Sequence, residues 1–311
     1  MQKIPFGATG LHVAPLGFGS APLGSLGIRP EQAATILNTL LDHGVNLIDT
    51  ASRYGNAEEL IGQALGARRG ECVIVSKCGR EVEGPDGISG EDWSEPLITA
   101  SIDRSLRKLR TDYLDVLLLH SCERSVLERG VAVEALAKAR EAGKIRFAGY
   151  SGDNEEAAYA ARLPGIAVIE TSINLCDQAN IDKVLPIARA RELGVLAKRP
   201  LANGAWKTAE AQPEEFRDYG AEYRFRFEKM GLDVEALGLP AATPWDEIAL
   251  RFTLSQPGVQ SAIVGTTRQE HALTNLAAAE AGPLPPEAVE AIRRAFAAAE
   301  VRFGEPWYGL T

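Results

Sequence analysis

Along the chain one unit recurs: a short apolar run, a polar loop, then a stretch rich in Ala, Leu, Glu and Arg whose apolar positions return at i, i+3 and i+4. The apolar runs are Val13 to Gly19, Val45 to Asp49, Cys72 to Lys77, Leu114 to His120, Arg146 to Ser151, Ala167 to Thr171, Val195 to Arg199 and Ser261 to Gly265. Continuous rather than alternating apolar runs predict strands buried on both faces. The helical patterns lie at Pro30 to His43, Asn56 to Leu65, Ser94 to Leu109, Val131 to Ala142, Glu155 to Leu163, Ile181 to Leu193, Thr243 to Ser255 and Gln269 to Ala279. Thr243-Pro244 is a helix-start signal, and Gly143 and Gly194 follow helix-favouring last turns. Eight strand-helix units over roughly 250 residues predict a closed parallel barrel rather than an open doubly wound sheet.

The expected class is therefore α/β: a (β/α)8 TIM barrel forming a single domain over residues 1–311, with an N-terminal hairpin, an insertion after the seventh strand and an additional C-terminal helix. The insertion runs from Trp206 to Leu239. Loops after barrel strands open on the face where barrel enzymes do chemistry, so it reads as a lid or specificity loop, or else as an outside decoration. The tail from Pro283 to Thr311 carries one more helix and then Trp307-Tyr308.

Composition narrows the partners. Of 311 residues, 33 are Lys or Arg and 42 are Asp or Glu, a net charge of -9 that offers no footprint for nucleic acid or an anionic membrane. No window approaches 18 uncharged apolar residues, and Met1 to Gly7 lacks a secretory pattern, so a cytoplasmic protein is expected. Cys72, Cys78, Cys122 and Cys176 have neither zinc-site spacing nor the density of a disulfide scaffold, which points to reduced thiols and no metal.

In a barrel the informative polar residues are those at the C-terminal strand ends. Asp49 ends the second strand, Lys77 the third and His120 the fourth, and Tyr54 lies in the loop five residues after Asp49. Singly, Lys77 is also a solvated strand end and His120 a satisfied core residue; together they form a set with a chemical logic. A tyrosine hydroxyl titrates near pH 10 and donates its proton at neutral pH only if a nearby cation stabilises the phenolate. Lys77 supplies such a charge, Asp49 an anion to hold it, and His120 a hydrogen bond to polarise a carbonyl oxygen. These are the parts for protonating a developing alkoxide while hydride arrives at carbon.

The run Asp49-Thr50-Ala51-Ser52-Arg53-Tyr54-Gly55-Asn56-Ala57-Glu58, then Val75-Ser76-Lys77, then Asp115 to His120, resembles the aldo-keto reductase family in order, spacing and strand context. Leu16 to Ser20 and Ile263 to Thr267 with Glu270, His271 and Asn275 are similar to it as well. The resemblance implies an NAD(P)H-dependent oxidoreductase that interconverts a small aldehyde or ketone and its alcohol, with Asp49, Tyr54, Lys77 and His120 as the catalytic tetrad. It also implies NADP(H), and also NAD(H), bound without a Rossmann fold by Gly19, Ser20, Asp49, Ser151, Gly152, Glu170, Lys198, Arg199, Pro200, Leu201, Asn203, Gly265, Thr266, Thr267, Arg268, His271 and Asn275. The sequence departs from the family at several of these. Gly152 stands where an asparagine is usual and Glu170 where a glutamine is usual. No aromatic ring for nicotinamide stacking occurs in Ala197 to Asn203, where Arg199 and Asn203 are placed to meet the pyrophosphate. Gly265 and His271 stand where strict NADPH users carry a lysine and an arginine, which leaves Arg268 as the nearby cation.

Substrate-side residues are expected among Arg53, Trp93, Ser121, Trp206 and Trp307, although loop aromatics also serve as packing anchors. Three rivals are disfavoured. Gly17-Phe18-Gly19-Ser20-Ala21-Pro22 lacks the third glycine of a dinucleotide fingerprint. Gly149 to Asp153 lacks the last glycine of a nucleophile elbow, and a Schiff-base aldolase using Lys77 leaves Tyr54 and His120 unexplained. An aldose dehydrogenase working in the oxidative direction and a cofactor-binding regulatory subunit with little turnover stay as alternatives.

Overall fold

The computed structural model describes residues 1–211, 217–218 and 220–310. Its strands in chain order are β1 (Ile4–Pro5), β2 (His12–Val13), β3 (Leu16–Gly19), β4 (Leu47–Asp49), β5 (Val73–Cys78), β6 (Leu114–His120), β7 (Ile145–Ser151), β8 (Ile166–Ser172), β9 (Gly194–Lys198) and β10 (Ser261–Val264). β3 to β10 pair in parallel in sequence order, and β10 returns to β3 to close the barrel. β1 and β2 form the expected antiparallel hairpin.

Side chains alternate across each strand, and here the alternation separates two cores. Leu47, Val73, Val75, Val116, Leu118, Val168, Leu196 and Ile263 meet inside the barrel, with Phe6, Leu11 and Val13 from the hairpin region. A Cβ on Gly194, the first residue of β9, would meet the Phe6 ring at 2.8 Å, so this ring plugs the N-terminal end. The intervening residues Ile48, Ile74, Leu117, Leu119 and Ile169 belong to the outer core shared with helix side chains such as Ile36, Ile61 and Ile98. Each such buried aliphatic contributes roughly 1.5–3 kcal/mol of transfer free energy before chain entropy is counted.

The eight strand-helix units are as expected, with two local corrections. The run Val13 to Gly19 is not one strand: Val13 belongs to the hairpin, Pro15 lacks an N–H for a ladder, and the Ala14 N–H is taken by the Asn46 side chain at 2.9 Å. The pattern Ile181 to Leu193 is not one helix either. It breaks into Ala179–Lys183 and Leu185–Ala190, because Pro186 can neither donate nor follow a regular helical residue without a clash.

Within the insertion, positions 212–216 and 219 lie outside the described residues. The rest contains the helix Ala221–Met230, which is pinned rather than loose. Tyr223 donates to Asp177 at 2.8 Å, and Arg226 donates to the carbonyls of Cys176 at 3.1 Å and Tyr308 at 3.0 Å. This helix and the added C-terminal helix Pro286–Phe303 share a second core with Trp307. All four cysteines are buried and free of disulfides, and among the described residues no helix is long and apolar enough to cross a membrane.

Candidate active site at the barrel mouth

The barrel's parity carries the site. Continuing each inward-facing series by one step past its last aliphatic residue, Leu47 leads to Asp49, Val75 to Lys77, Leu118 to His120, Val168 to Glu170 and Leu196 to Lys198. Five polar side chains therefore project from the C-terminal ends of neighbouring strands towards one axis, and the strand register sets their heights: Asp49 opposite Val75, His120 opposite Ser151, and Ser151 opposite Glu170.

Lys77 is fully buried. Its ammonium donates to Asp49 Oδ1 at 2.5 Å and to the Thr50 carbonyl at 3.1 Å, and lies 3.3 Å from Glu170 Oε2. Burial by itself would lower its pKa, but Asp49 first and then Glu170 and Tyr54 outweigh burial and hold it charged. Burial and then the neighbouring Glu170 push the Asp49 carboxyl well above the usual range, against the pull of Lys77. The ammonium sits 5.2 Å from the centroid of the Tyr54 ring, and that ring meets His120 edge-on at 5.9 Å. Burial, followed by the positive charges of Lys77, Lys198, Arg53 and Arg80, holds His120 well below the usual imidazole range. A neutral imidazole keeps one N–H to donate and has no competing charge.

Tyr54 belongs to a loop stitched onto β5. Ser52 donates from its N–H and its hydroxyl to the Lys77 carbonyl at 3.3 and 3.0 Å. Beneath it, buried Arg104 donates to the Ser52 carbonyl at 3.2 Å and to Glu58 at 3.3 Å, and Glu58 also accepts from Ser76 at 2.8 Å. Across the loop lies Gly24. A Cβ there would stand 1.9 Å from the Tyr54 carbonyl oxygen, so only glycine lets the short helix Ala21–Ser25 press against this turn. Nothing in the sequence alone marks Gly24, since the contact joins positions thirty residues apart.

On the other side of the mouth, Ser151 donates to Glu170 Oε1 at 3.1 Å. Lys198 forms an ion pair with Asp153 at 3.1 Å, and Arg199 donates to the Ser172 hydroxyl at 3.2 Å. Sequence reasoning passed over Asp153, which accepts from Thr171 at 2.9 Å, from the Ser172 N–H at 2.6 Å and from Asn180 at 3.0 Å. Burial would raise its pKa, but Lys198 and then the Ser172 N–H, Arg199 and Thr171 hold it below the usual carboxylate range. Arg199, Ala202 and Asn203 have left-handed backbone, with Pro200 and Leu201 between them. Gly19, Ser20 and Gly265 lie at the ends of β3 and β10. Thr266, Thr267 and Arg268 lead into the helix Gln269–Glu280, which carries His271 and Asn275. Its N-cap residue Arg268 is exposed and provides no side-chain cap.

The expected substrate-side residues divide. Arg53 is exposed beside Tyr54, and Ser121 follows His120 with a φ of 59°, its N–H on the Ser151 carbonyl at 2.8 Å. Arg80, which the sequence reading did not single out, donates to the Ser121 carbonyl at 3.2 Å and lies 5.3 Å over the Trp93 ring; its place immediately after Gly79 at the end of β5 was the available signal. The three tryptophans act as packing anchors. Trp93 and Trp307 are 9% and 4% exposed, Trp307 being set between Phe296 and Phe303, while Trp206 stacks on Trp245 and meets Phe227. Arg80 lies over the Trp93 ring, and Trp307 meets Phe296 edge-on and stacks on Phe303.

Comparison with known proteins agrees with this geometry. Residues 15–297 match the model of the Aldo/keto reductase family. The chain is 29% identical over 304 residues to the uncharacterized oxidoreductase YqkF of Bacillus subtilis (strain 168), covering 94% of this chain and 96% of that one. It is 28% identical to L-galactose dehydrogenase of Arabidopsis thaliana over 88% and 86% of the two chains. The holo form of the aldo-keto reductase AKR11C1 from Bacillus halodurans superposes with a TM-score of 0.80 at 27% identity, covering 95% and 96% of the two chains. With both barrel and sequence matched over nearly its whole length, the chain belongs to the aldo/keto reductase family and is an NAD(P)H-dependent oxidoreductase acting on carbonyl compounds.

Proposed function

We propose that the chain interconverts a small aldehyde or ketone and its alcohol, with Tyr54 as general acid in reduction and general base in oxidation. The observation that supports this is the fully buried Lys77 ammonium, held by Asp49 and facing the Tyr54 ring beside a neutral His120. The ammonium lowers the cost of a phenolate, so Tyr54 can release a proton to the alkoxide oxygen as it forms and recover one afterwards. His120 donates its hydrogen bond to that same oxygen and orients the carbonyl. Arg53, Arg80 and Ser121 form the polar rim a substrate passes, which suits hydroxylated or anionic carbonyl compounds.

The described residues fit a nicotinamide dinucleotide. Ser20 Oγ and Glu170 Oε2 are buried without a hydrogen-bond partner, and the N-terminus of the helix Gln269–Glu280 presents backbone N–H groups that no side chain caps. Ser151, Glu170 and Asp49 would hold its nicotinamide end, and Ser20, Gly19, Arg199, Asn203 and Gly265 to Asn275 the remainder. When bound, the cofactor supplies or accepts the hydride. Arg268 is the cation nearest that helix start, and Gly265 and His271 offer no permanent charge, so both NADPH and NADH are used, with NADPH favoured modestly. A second reading, oxidation of an aldose, is favoured by the likeness to L-galactose dehydrogenase.

Tyr54→Phe tests the assignment. The variant keeps its fold and its nucleotide binding while carbonyl reduction falls roughly 10²- to 10⁴-fold, as expected for loss of a general acid. Near-normal reduction, followed by nicotinamide absorbance across a panel of aldehydes and ketones, removes Tyr54 from that role.

A further inference from the structure

We infer that Glu170 selects the redox state of the cofactor, favouring the oxidised nicotinamide over the reduced one, and so makes the bound reduced form a stronger hydride donor for carbonyl reduction. The inference rests on the proposed placement of the nicotinamide end beside Asp49, Ser151 and Glu170.

The starting point is an imbalance of charge. One ammonium, Lys77, is shared by two buried carboxylates: Asp49 at 2.5 Å and Glu170 at 3.3 Å, with Asp49 4% and Glu170 2% exposed. Among the described residues Glu170 is paired with no second cation. Its Oε1 accepts from Ser151 at 3.1 Å, its Oε2 receives no hydrogen bond, and the nearest further lysine along the rim, Lys198, is paired with Asp153 at 3.1 Å. Two carboxylates thus face one ammonium, and Glu170 helps push the Asp49 carboxyl well above its usual range, so the pair accommodates one further positive charge where water screens weakly.

The two redox forms of a nicotinamide differ by one positive charge on the ring, present when oxidised and absent when reduced. A ring that exchanges hydride with the carbon whose oxygen meets Tyr54 must lie against this same floor. The uncompensated carboxylate therefore attracts the oxidised form more strongly, whereas a neutral amide of the same shape discriminates only through its dipole. The bound equilibrium shifts towards oxidised cofactor, so bound reduced cofactor gives up its hydride more readily and carbonyl reduction is the favoured direction on the site.

The experiment measures dissociation constants for NADP+ and NADPH by quenching of the intrinsic tryptophan fluorescence, in the parent chain and in Glu170→Gln and Glu170→Asp. The parent is expected to bind the oxidised nucleotide at least as tightly as the reduced one. Glu170→Gln, which keeps volume and the Ser151 contact, is expected to move the ratio of the two constants roughly tenfold towards NADPH, and Glu170→Asp to keep most of the parent ratio. A parent that binds NADPH tenfold more tightly than NADP+, or a ratio unchanged in Glu170→Gln while both nucleotides still bind, overturns the inference. Failure of the folded parent to bind either nucleotide overturns the nicotinamide placement itself, a different result from a ratio that does not move. The parent measurement stands even if a variant does not fold.

Discussion

The two ends of the barrel each hold a buried ion cluster on neighbouring strands, and they are balanced in opposite ways. Near the start of β6, Asp115 is 2% exposed and receives Arg69 at 2.9 Å, Arg146 at 2.9 Å and the Ile74 N–H at 2.9 Å. One carboxylate faces two guanidinium groups, and both its oxygens are bonded. At the far ends of β4, β5 and β8 the ratio is reversed: one ammonium serves two carboxylates, and one oxygen is left without a hydrogen bond. A fully satisfied cluster can only hold strands together, whereas an undercompensated one can respond to the charge of what binds beside it.

Breaking the two clusters should therefore have different consequences. Lys77→Met carries the largest expected effect: turnover falls roughly 10²- to 10⁴-fold. Without the ammonium the Tyr54 phenolate is less stabilised, so the basic limb of any residual pH profile moves upward. A variant whose kcat holds while only KM rises would make Lys77 a binding residue. Gly24→Ala comes next. Its methyl group must displace the Tyr54 turn, and a displacement of that kind lowers kcat by roughly 10- to 10²-fold with little change in nucleotide affinity; unchanged steady-state kinetics would show that the turn relaxes freely.

Asp115→Asn acts in the opposite sense. Urea unfolding should report a loss of about 1–3 kcal/mol, since Arg69 and Arg146 lose a charged acceptor, with kcat retained. A drop in kcat larger than the drop in folded fraction would couple the two ends of the barrel. The smallest effect is expected at Arg268→Ala, where the exposed guanidinium should raise the NADPH dissociation constant roughly three- to tenfold relative to that for NADH. Equal weakening of both cofactors would place the 2'-phosphate elsewhere.

Much of this was legible in one dimension because a barrel of parallel strands repeats a short-range pattern. Continuous apolar runs mark β3 to β10, and a polar residue two positions beyond an interior aliphatic, as at Asp49, Lys77 and His120, already points to the mouth. Local chemistry also misled where a proline outweighed the hydrophobic period, at Pro15 and at Pro186. Trp307 shows another limit: an indole in a tail looks the same in sequence whether it lines a mouth or, as here, lies between Phe296 and Phe303.

By itself, then, the sequence determined the repeating units, the inward or outward parity of each strand residue and the identity of the groups at the strand ends, since all three depend on neighbours within a few positions. Which of those groups share a partner was decided only by closure of the barrel. Register between strands brings Glu170 to the same ammonium as Asp49, 121 positions earlier, and hands Lys198 to Asp153 instead. The pressing of Gly24 onto the Tyr54 turn has the same origin. Charges and close contacts act through distance in space, and a chain folded into a closed sheet fixes those distances between residues that no local pattern connects.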